Sequence, residues 1–154
     1  MTQALIKDMA VIVGAVVGLV ALIKGVIEYM HQGAQKRAEH FLEMRKRLKE
    51  NAVFKEICAK VEGDDPALLQ MPFKDKRDFL GFFEEIAIMM NSGLIRKEVA
   101  HYMFGYYAIR CWESDNFWSG VNRGSIYWKL FEDFIIQMKD IEKSYRFARK
   151  QYRF

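Results

Sequence analysis

The sequence predicts an all-α protein with one N-terminal transmembrane helix followed by a cytosolic helical bundle. Apolar residues recur at helical spacing through most of the 154-residue chain. No segment alternates apolar and polar residues over the length of a strand. The third observation is the run Met9–Ile23, which contains fifteen residues without a charge or a proline.

This apolar run decides the predicted domain organisation. When it is extended to residues 4–27, it reaches the length that crosses the hydrocarbon core of a bilayer. Residues 28–50 are then a juxtamembrane basic helix, and residues 51–154 are a cytosolic helical domain. A cleaved signal peptide and a buried core helix are the alternatives. Asp8 disfavours the signal peptide, as does the lack of a small-residue cleavage site after Ile23.

The flanks of the run predict its orientation. Lys7 is the one basic side chain before it, whereas seven lysines and arginines follow it up to Lys49. Basic loops stay on the cytoplasmic side, so we expect a single-pass protein with its C-terminal domain in the cytoplasm. The isolated cysteines Cys58 and Cys111 are expected to stay reduced there.

Small residues within the run predict self-association. They let membrane helices approach closely, which matters because lipid supplies no hydrophobic drive for helices to associate. With one span per chain, the simplest partner is a second copy. The predicted packing residues are Ala10, Gly14, Gly18, Ala21 and Gly25.

The remaining chain divides into helices at clear boundaries. Asn51 is a predicted N-cap, residues 63–66 are a predicted break and Gly93 is a predicted C-terminal glycine. The predicted helices are residues 34–49, 52–61, 75–91, 96–113 and 125–149, with a loop over residues 114–124.

No constellation of residues predicts catalysis, a metal or another cofactor. Glu98 and His101 have a spacing found in di-iron bundles, but such sites need a second copy of the motif. Glu84 and Glu85 are adjacent on a helix and point about 100° apart, which disfavours a paired acid–base site. One of them is expected to satisfy a buried partner such as Arg110.

Two basic clusters are candidate ligand sites. In the second, basic residues alternate with aromatic ones, a pattern that suits single-stranded nucleic acid. An anionic membrane, a protein surface and a simple cationic helix end are the alternatives. The candidate residues are Arg45, Lys46, Arg47 and Lys49, then Tyr145, Arg146, Arg149, Lys150, Tyr152 and Arg153.

The segment Phe79–Ser114, FLGFFEEIAIMMNSGLIRKEVAHYMFGYYAIRCWES, carries a resemblance. It resembles a bacterial family of unknown function with a membrane anchor and a small helical domain. The shared features are an aromatic-Glu-Glu helix, a Gly-hydrophobic-Ile turn and a helix that ends near a Trp. The architecture is also similar to the membrane effector of the Hailong anti-phage defence system.

That resemblance implies a location in the bacterial inner membrane. It also implies an oligomeric ion channel held shut by single-stranded DNA that a partner nucleotidyltransferase makes. We therefore expect a homo-oligomeric, non-enzymatic membrane effector, a pore controlled by an anionic ligand such as an oligonucleotide. The alternative is a membrane-tethered adaptor that recruits a cytosolic partner and conducts nothing.

Overall fold

A computed structural model describes the chain from Thr2 to Ser144, except for the side chains of residues 2–12, 30, 31 and 34. This part is all-α, with seven α-helices and no strand, which confirms the predicted class. Two short 3-10 helices, Pro66–Gln70 and Ile126–Trp128, join them. The α-helices are α1 Thr2–Glu50, α2 Ala52–Val61, α3 Phe73–Asn91, α4 Lys97–Ala100, α5 Tyr106–Glu113, α6 Asp115–Trp118 and α7 Lys129–Ser144.

The chain forms two compact units, Met1–Glu39 and His40–Phe154. In the first, α1 exposes its large apolar side chains, and those from Val13 to Ile27 are 50–65% exposed. Among the described residues, no helix combines the length and the apolarity of a membrane span. The predicted span begins with residues 4–12, whose side chains the structure does not describe. The span therefore stays a prediction.

Local chemistry sets the predicted helix boundaries in the second unit. The Asn51 side chain accepts a hydrogen bond from the Phe54 N–H at 3.1 Å and starts α2 one residue after α1 ends. Gly93 has φ +72°, the left-handed conformation that ends α3 at little steric cost. Both boundary predictions are therefore confirmed.

The predicted single helix over residues 96–113 is interrupted. His101–Gly105 forms a π-turn between α4 and α5. A Cβ at position 105 would lie 2.9 Å from the His101 ring, so the tight turn requires glycine. The predicted loop at residues 114–124 was also partly wrong, because the Ser114 hydroxyl accepts the Phe117 N–H at 3.0 Å and starts α6.

Phenylalanine rings fill the core of the second unit. Phe79, Phe82 and Phe83 of α3 are fully buried; they meet rings from α2, α6 and α7 at centroid distances of 5.3–6.4 Å and one another at 5.0–5.2 Å. Several of these pairs are edge-to-face, which adds to the stabilisation from burial alone. The end of α1 contributes Phe41 and Leu48 to the same core. The rings fix α2, α3 and the final turns of α1 against one another.

Two polar contacts hold the short helix α6. Asp64, at φ +48°, accepts a hydrogen bond from the Ser114 hydroxyl at 2.5 Å and another from the Asn116 N–H at 3.1 Å. Lys76 is 1% exposed, and its ammonium donates to the Ser119 carbonyl at 2.9 Å. Both contacts join residues far apart in the chain, so the position of α6 depends on the completed fold.

Candidate anion-binding groove

A groove of about 420 Å³ lies where α1 ends and α2 begins. Arg45 and Lys49 are four residues apart on α1 and therefore share one helix face. The turn at Asn51 brings Lys55 of α2 beside them, and Tyr107 of α5 completes the wall. We call this surface the basic groove. The rest of its lining is Leu48, Cys58, Ala59, Glu62 and Met103.

The cations of the basic groove are not neutralised within the described part of the chain. Arg45, Lys49 and Lys55 are exposed, and no carboxylate described by the structure lies within ion-pair distance of any of them. Glu62 is the single acid in the lining. Like charges this close repel one another, so an anion bound between them would relieve that repulsion.

The neutral groups of the basic groove give it no reactive chemistry. Burial, helped by Glu62, raises the pKa of the Cys58 thiol to about 12. Burial also raises the pKa of the Tyr107 phenol. Both side chains are therefore protonated at neutral pH, and the thiol is a poor nucleophile in that state. The arrangement favours reversible binding of an anion over covalent chemistry.

The structure divides the first predicted basic cluster. Arg45 and Lys49 line the basic groove, but Lys46 lies 3.8 Å from Glu50. Arg47 donates to Glu85 at 2.7 Å, and its guanidinium lies over the rings of Phe54 and Phe82. Consecutive helical residues point about 100° apart, so the four cations could not share one face.

Sequence reasoning missed Lys55 and Tyr107. Both lie on helices whose apolar stripes are evident in the sequence, but their position beside α1 follows from the packing of α2 and α5. The residues of the second cluster, Tyr145, Arg146, Arg149, Lys150, Tyr152 and Arg153, lie outside the described part.

The predicted packing stripe faces open space in a single chain. A Cβ built at Gly14, Gly18 or Gly25 would meet no other atom within 4 Å. Ala21 is exposed as well, and the side chain of Ala10 lies outside the described part. Added bulk at these glycines would therefore cause no steric clash within one protomer. Any effect on assembly would report contact with another molecule.

The expected partner of the adjacent glutamates was wrong. Arg110 lies 3.6 Å from Glu113, and Glu85 pairs with Arg47. Burial raises the pKa of Glu84, and a hydrogen bond from the Phe131 backbone opposes this shift. The two carboxylates therefore have separate partners.

His101 lies beside a carboxylate of α7. Its Nε2 lies 3.8 Å from Glu142, and burial lowers its pKa while Glu142 opposes that shift. No group of three His, Cys, Asp or Glu side chains there is arranged to hold a metal ion.

Comparison with known proteins identifies no relative of this chain. No protein-family model matches the sequence, and neither a curated protein nor a solved structure matches it. The resemblance of residues 79–114 to a bacterial membrane-anchored family stays a prediction.

Proposed function

We propose that this protein is a homo-oligomeric membrane effector whose apolar N-terminal helices form a pore controlled by an anionic ligand. The exposed apolar surface of α1 between Val13 and Ile27 carries this proposal. A contiguous apolar surface of this kind marks a site that lipid or another protein covers. The proposed setting is anti-phage defence at the bacterial inner membrane, with the C-terminal unit in the cytoplasm.

Membrane insertion depends on the start of α1. The described residues contain no spanning helix, so the proposed span requires residues 4–12 in addition to the exposed apolar stretch. In the sequence these residues are ALIKDMAVI, which join directly to the exposed apolar stretch. Lys7 and Asp8 would then lie near the membrane surface, where polar side chains reach water.

Assembly of several copies would use the small residues of α1. Gly14 and Gly18 leave their surroundings open within one protomer, which permits close approach of a second helix. A ring of valine, leucine and isoleucine side chains from several copies could close the pore by excluding water. The span would then be both the packing element and the gate.

The basic groove supports control by an anion such as an oligonucleotide. Its three cations can contact phosphates, and the ring of Tyr107 offers a surface for stacking. Control requires that the ligand bind the open and closed assemblies with different affinity. A cytosolic nucleotidyltransferase as the source of that ligand is the partner that the resemblance suggests.

A non-conducting membrane-tethered adaptor is the second candidate. Ile126 and Tyr127, in the turn before α7, are 83% and 81% exposed. Large apolar side chains this exposed are frequent in protein interfaces. An adaptor would use this turn to recruit a cytosolic partner and would need no helix–helix packing in the membrane.

Liposomes of phosphatidylethanolamine and phosphatidylglycerol test the proposal. The full chain should insert and release a trapped dye, and a single-stranded oligonucleotide should change that rate. Gly14→Leu with Gly18→Leu should abolish release by blocking helix approach. Ala15→Leu, which adds a leucine side chain on another face of α1, is the control and should conduct. Recovery of the chain as a water-soluble monomer would refute the membrane proposal, and insertion without release would favour the adaptor.

A further inference from the structure

A second groove, of about 670 Å³, lies between the first half of α3 and the turn that leads into α7. Four aromatic rings line it: Phe54, Phe73, Tyr127 and Trp128. Phe73 is 54% exposed and Tyr127 is 81% exposed, so both rings offer area to a bound molecule. We call this surface the acidic–aromatic groove.

The cations of the acidic–aromatic groove are already ion-paired. Each of them contacts a carboxylate of the same groove, and ion-paired cations have little remaining attraction for an outside anion. The pairs are Arg47–Glu85 at 2.7 Å, Lys74–Asp78 at 2.9 Å and Arg77–Asp78 at 2.9 Å.

Two carboxylates of this groove have no such partner. No cation in the described part of the chain lies within ion-pair distance of Asp75 or Glu84. Both side chains are half-buried, and burial raises the pKa of Glu84, a shift that a nearby cation would oppose. With four carboxylates against three cations, the lining carries a net charge of −1, and this charge lies among exposed aromatic rings. A cationic and aromatic segment is the complementary ligand.

We propose that the acidic–aromatic groove binds the C-terminal segment of the same chain, residues 145–154. Its sequence, YRFARKQYRF, carries four basic side chains, four aromatic rings and no acidic side chain. Its arginines and lysine would pair with Asp75 and Glu84, and its rings would pack against Phe73 and Tyr127. The docking requires neither membrane insertion nor a bound nucleic acid.

The segment is long enough to reach the groove. Trp128 lines the groove and directly precedes α7, which extends 16 residues to Ser144. A helix of that length spans about 24 Å, so the segment begins about that far from the groove. Ten extended residues reach up to about 33–36 Å, which exceeds that distance. The segment can therefore fold back along α7 within one chain.

Carbodiimide cross-linking of the full chain in detergent micelles tests the docking. Lys150 is the single lysine of the segment, so its amide cross-links report where the segment lies. We expect cross-links from Lys150 to Asp75 or Glu84, identified by mass spectrometry. Lys150→Arg keeps the charge and should remove them. Cross-links spread over the exposed carboxylates of residues 40–144, without preference for the groove, would overturn the docking.

Trypsin digestion provides a second readout, because a docked segment resists cleavage after Arg149. The double variant Asp75→Asn, Glu84→Gln should be cleaved about ten-fold faster, as expected for the loss of two partly exposed ion pairs. Asp133→Asn, which removes an exposed carboxylate of α7 outside the groove, should be cleaved at the unaltered rate. Equal rates in all three proteins would overturn the docking. In a mixture of isotope-labelled and unlabelled chains, cross-links that join the two kinds at the frequency of random mixing would also overturn it, because they form between copies.

Discussion

The triple variant Arg45→Gln, Lys49→Gln, Lys55→Gln should abolish the salt-sensitive part of oligonucleotide binding that the basic groove supplies. These three cations line one groove and have no carboxylate partner in the described part of the chain. Phosphates bound by lysine and arginine displace condensed counterions, so affinity falls as the salt concentration rises. Glutamine keeps much of the side-chain length and removes the charge.

The magnitude follows from the number of cations. Three contacts to a single strand contribute about −2 to the slope of log affinity against log salt concentration. Between about 50 mM and 200 mM salt, that slope alone lowers affinity about 20-fold. The slope of the triple variant should therefore be about 2 units shallower than that of the unaltered protein.

Fluorescence anisotropy of a labelled oligothymidylate, titrated with the full chain in micelles, measures both slopes. The matched control removes three lysines that already pair with carboxylates, so it changes the net charge equally and should leave the slope almost unaltered. Those lysines are Lys74, Lys129 and Lys139, which lie 2.9, 2.7 and 2.7 Å from their partners. Equal slopes in the triple variant and the control would refute the assignment of the groove.

Three further predictions concern buried groups. Asp64→Gly should lower the free energy of unfolding by about 2–4 kcal/mol through two lost hydrogen bonds. Asp64→Ala should lower the free energy of unfolding by about 1–2 kcal/mol more than Asp64→Gly, because alanine is strained at the positive φ of this position. Equal urea midpoints for the two variants would contradict this. Cys58, with its pKa raised to about 12, should resist iodoacetamide at neutral pH until urea unfolds the chain; rapid alkylation of the native protein would contradict its burial. Burial lowers the pKa of Lys76, so between that lowered pKa and the ordinary lysine pKa the unfolded state binds more protons than the folded state. The free energy of unfolding, compared with that of Lys76→Met, should therefore rise with pH through this window in urea titrations. A flat difference would show that the ammonium is not desolvated.

The sequence specified the helices of residues 40–144 well, because helical periodicity and capping residues are local signals. Asn51 and Gly93 act where their chemistry predicted. The π-turn at His101–Gly105 was not predictable in this way, because it depends on the His101 ring lying over Gly105. A Cβ at position 105 would also lie 3.5 Å from the Met138 sulfur of α7, so the surroundings of the turn include a helix distant in the sequence.

The candidate site was predicted in part. A four-residue spacing could have separated Arg45 and Lys49 from their neighbours, since residues four apart share a helix face. The role of Arg47 could not be found from the sequence, because Glu85 lies 38 residues away. Lys55 joins the groove through the tight turn at Asn51, and such a turn does not reveal which helix faces will meet.

The contact of Asp64 with Ser114 and Asn116 has a kinetic consequence. It joins residues 50 and 52 positions apart, so it closes a long loop of chain. Loops of this length are entropically costly to close early, and we expect the contact to form after the folding transition state. Interactions absent from that state slow unfolding and leave the folding rate almost unaltered. Asp64 should therefore determine how long a folded molecule survives, and have little influence on how fast it forms.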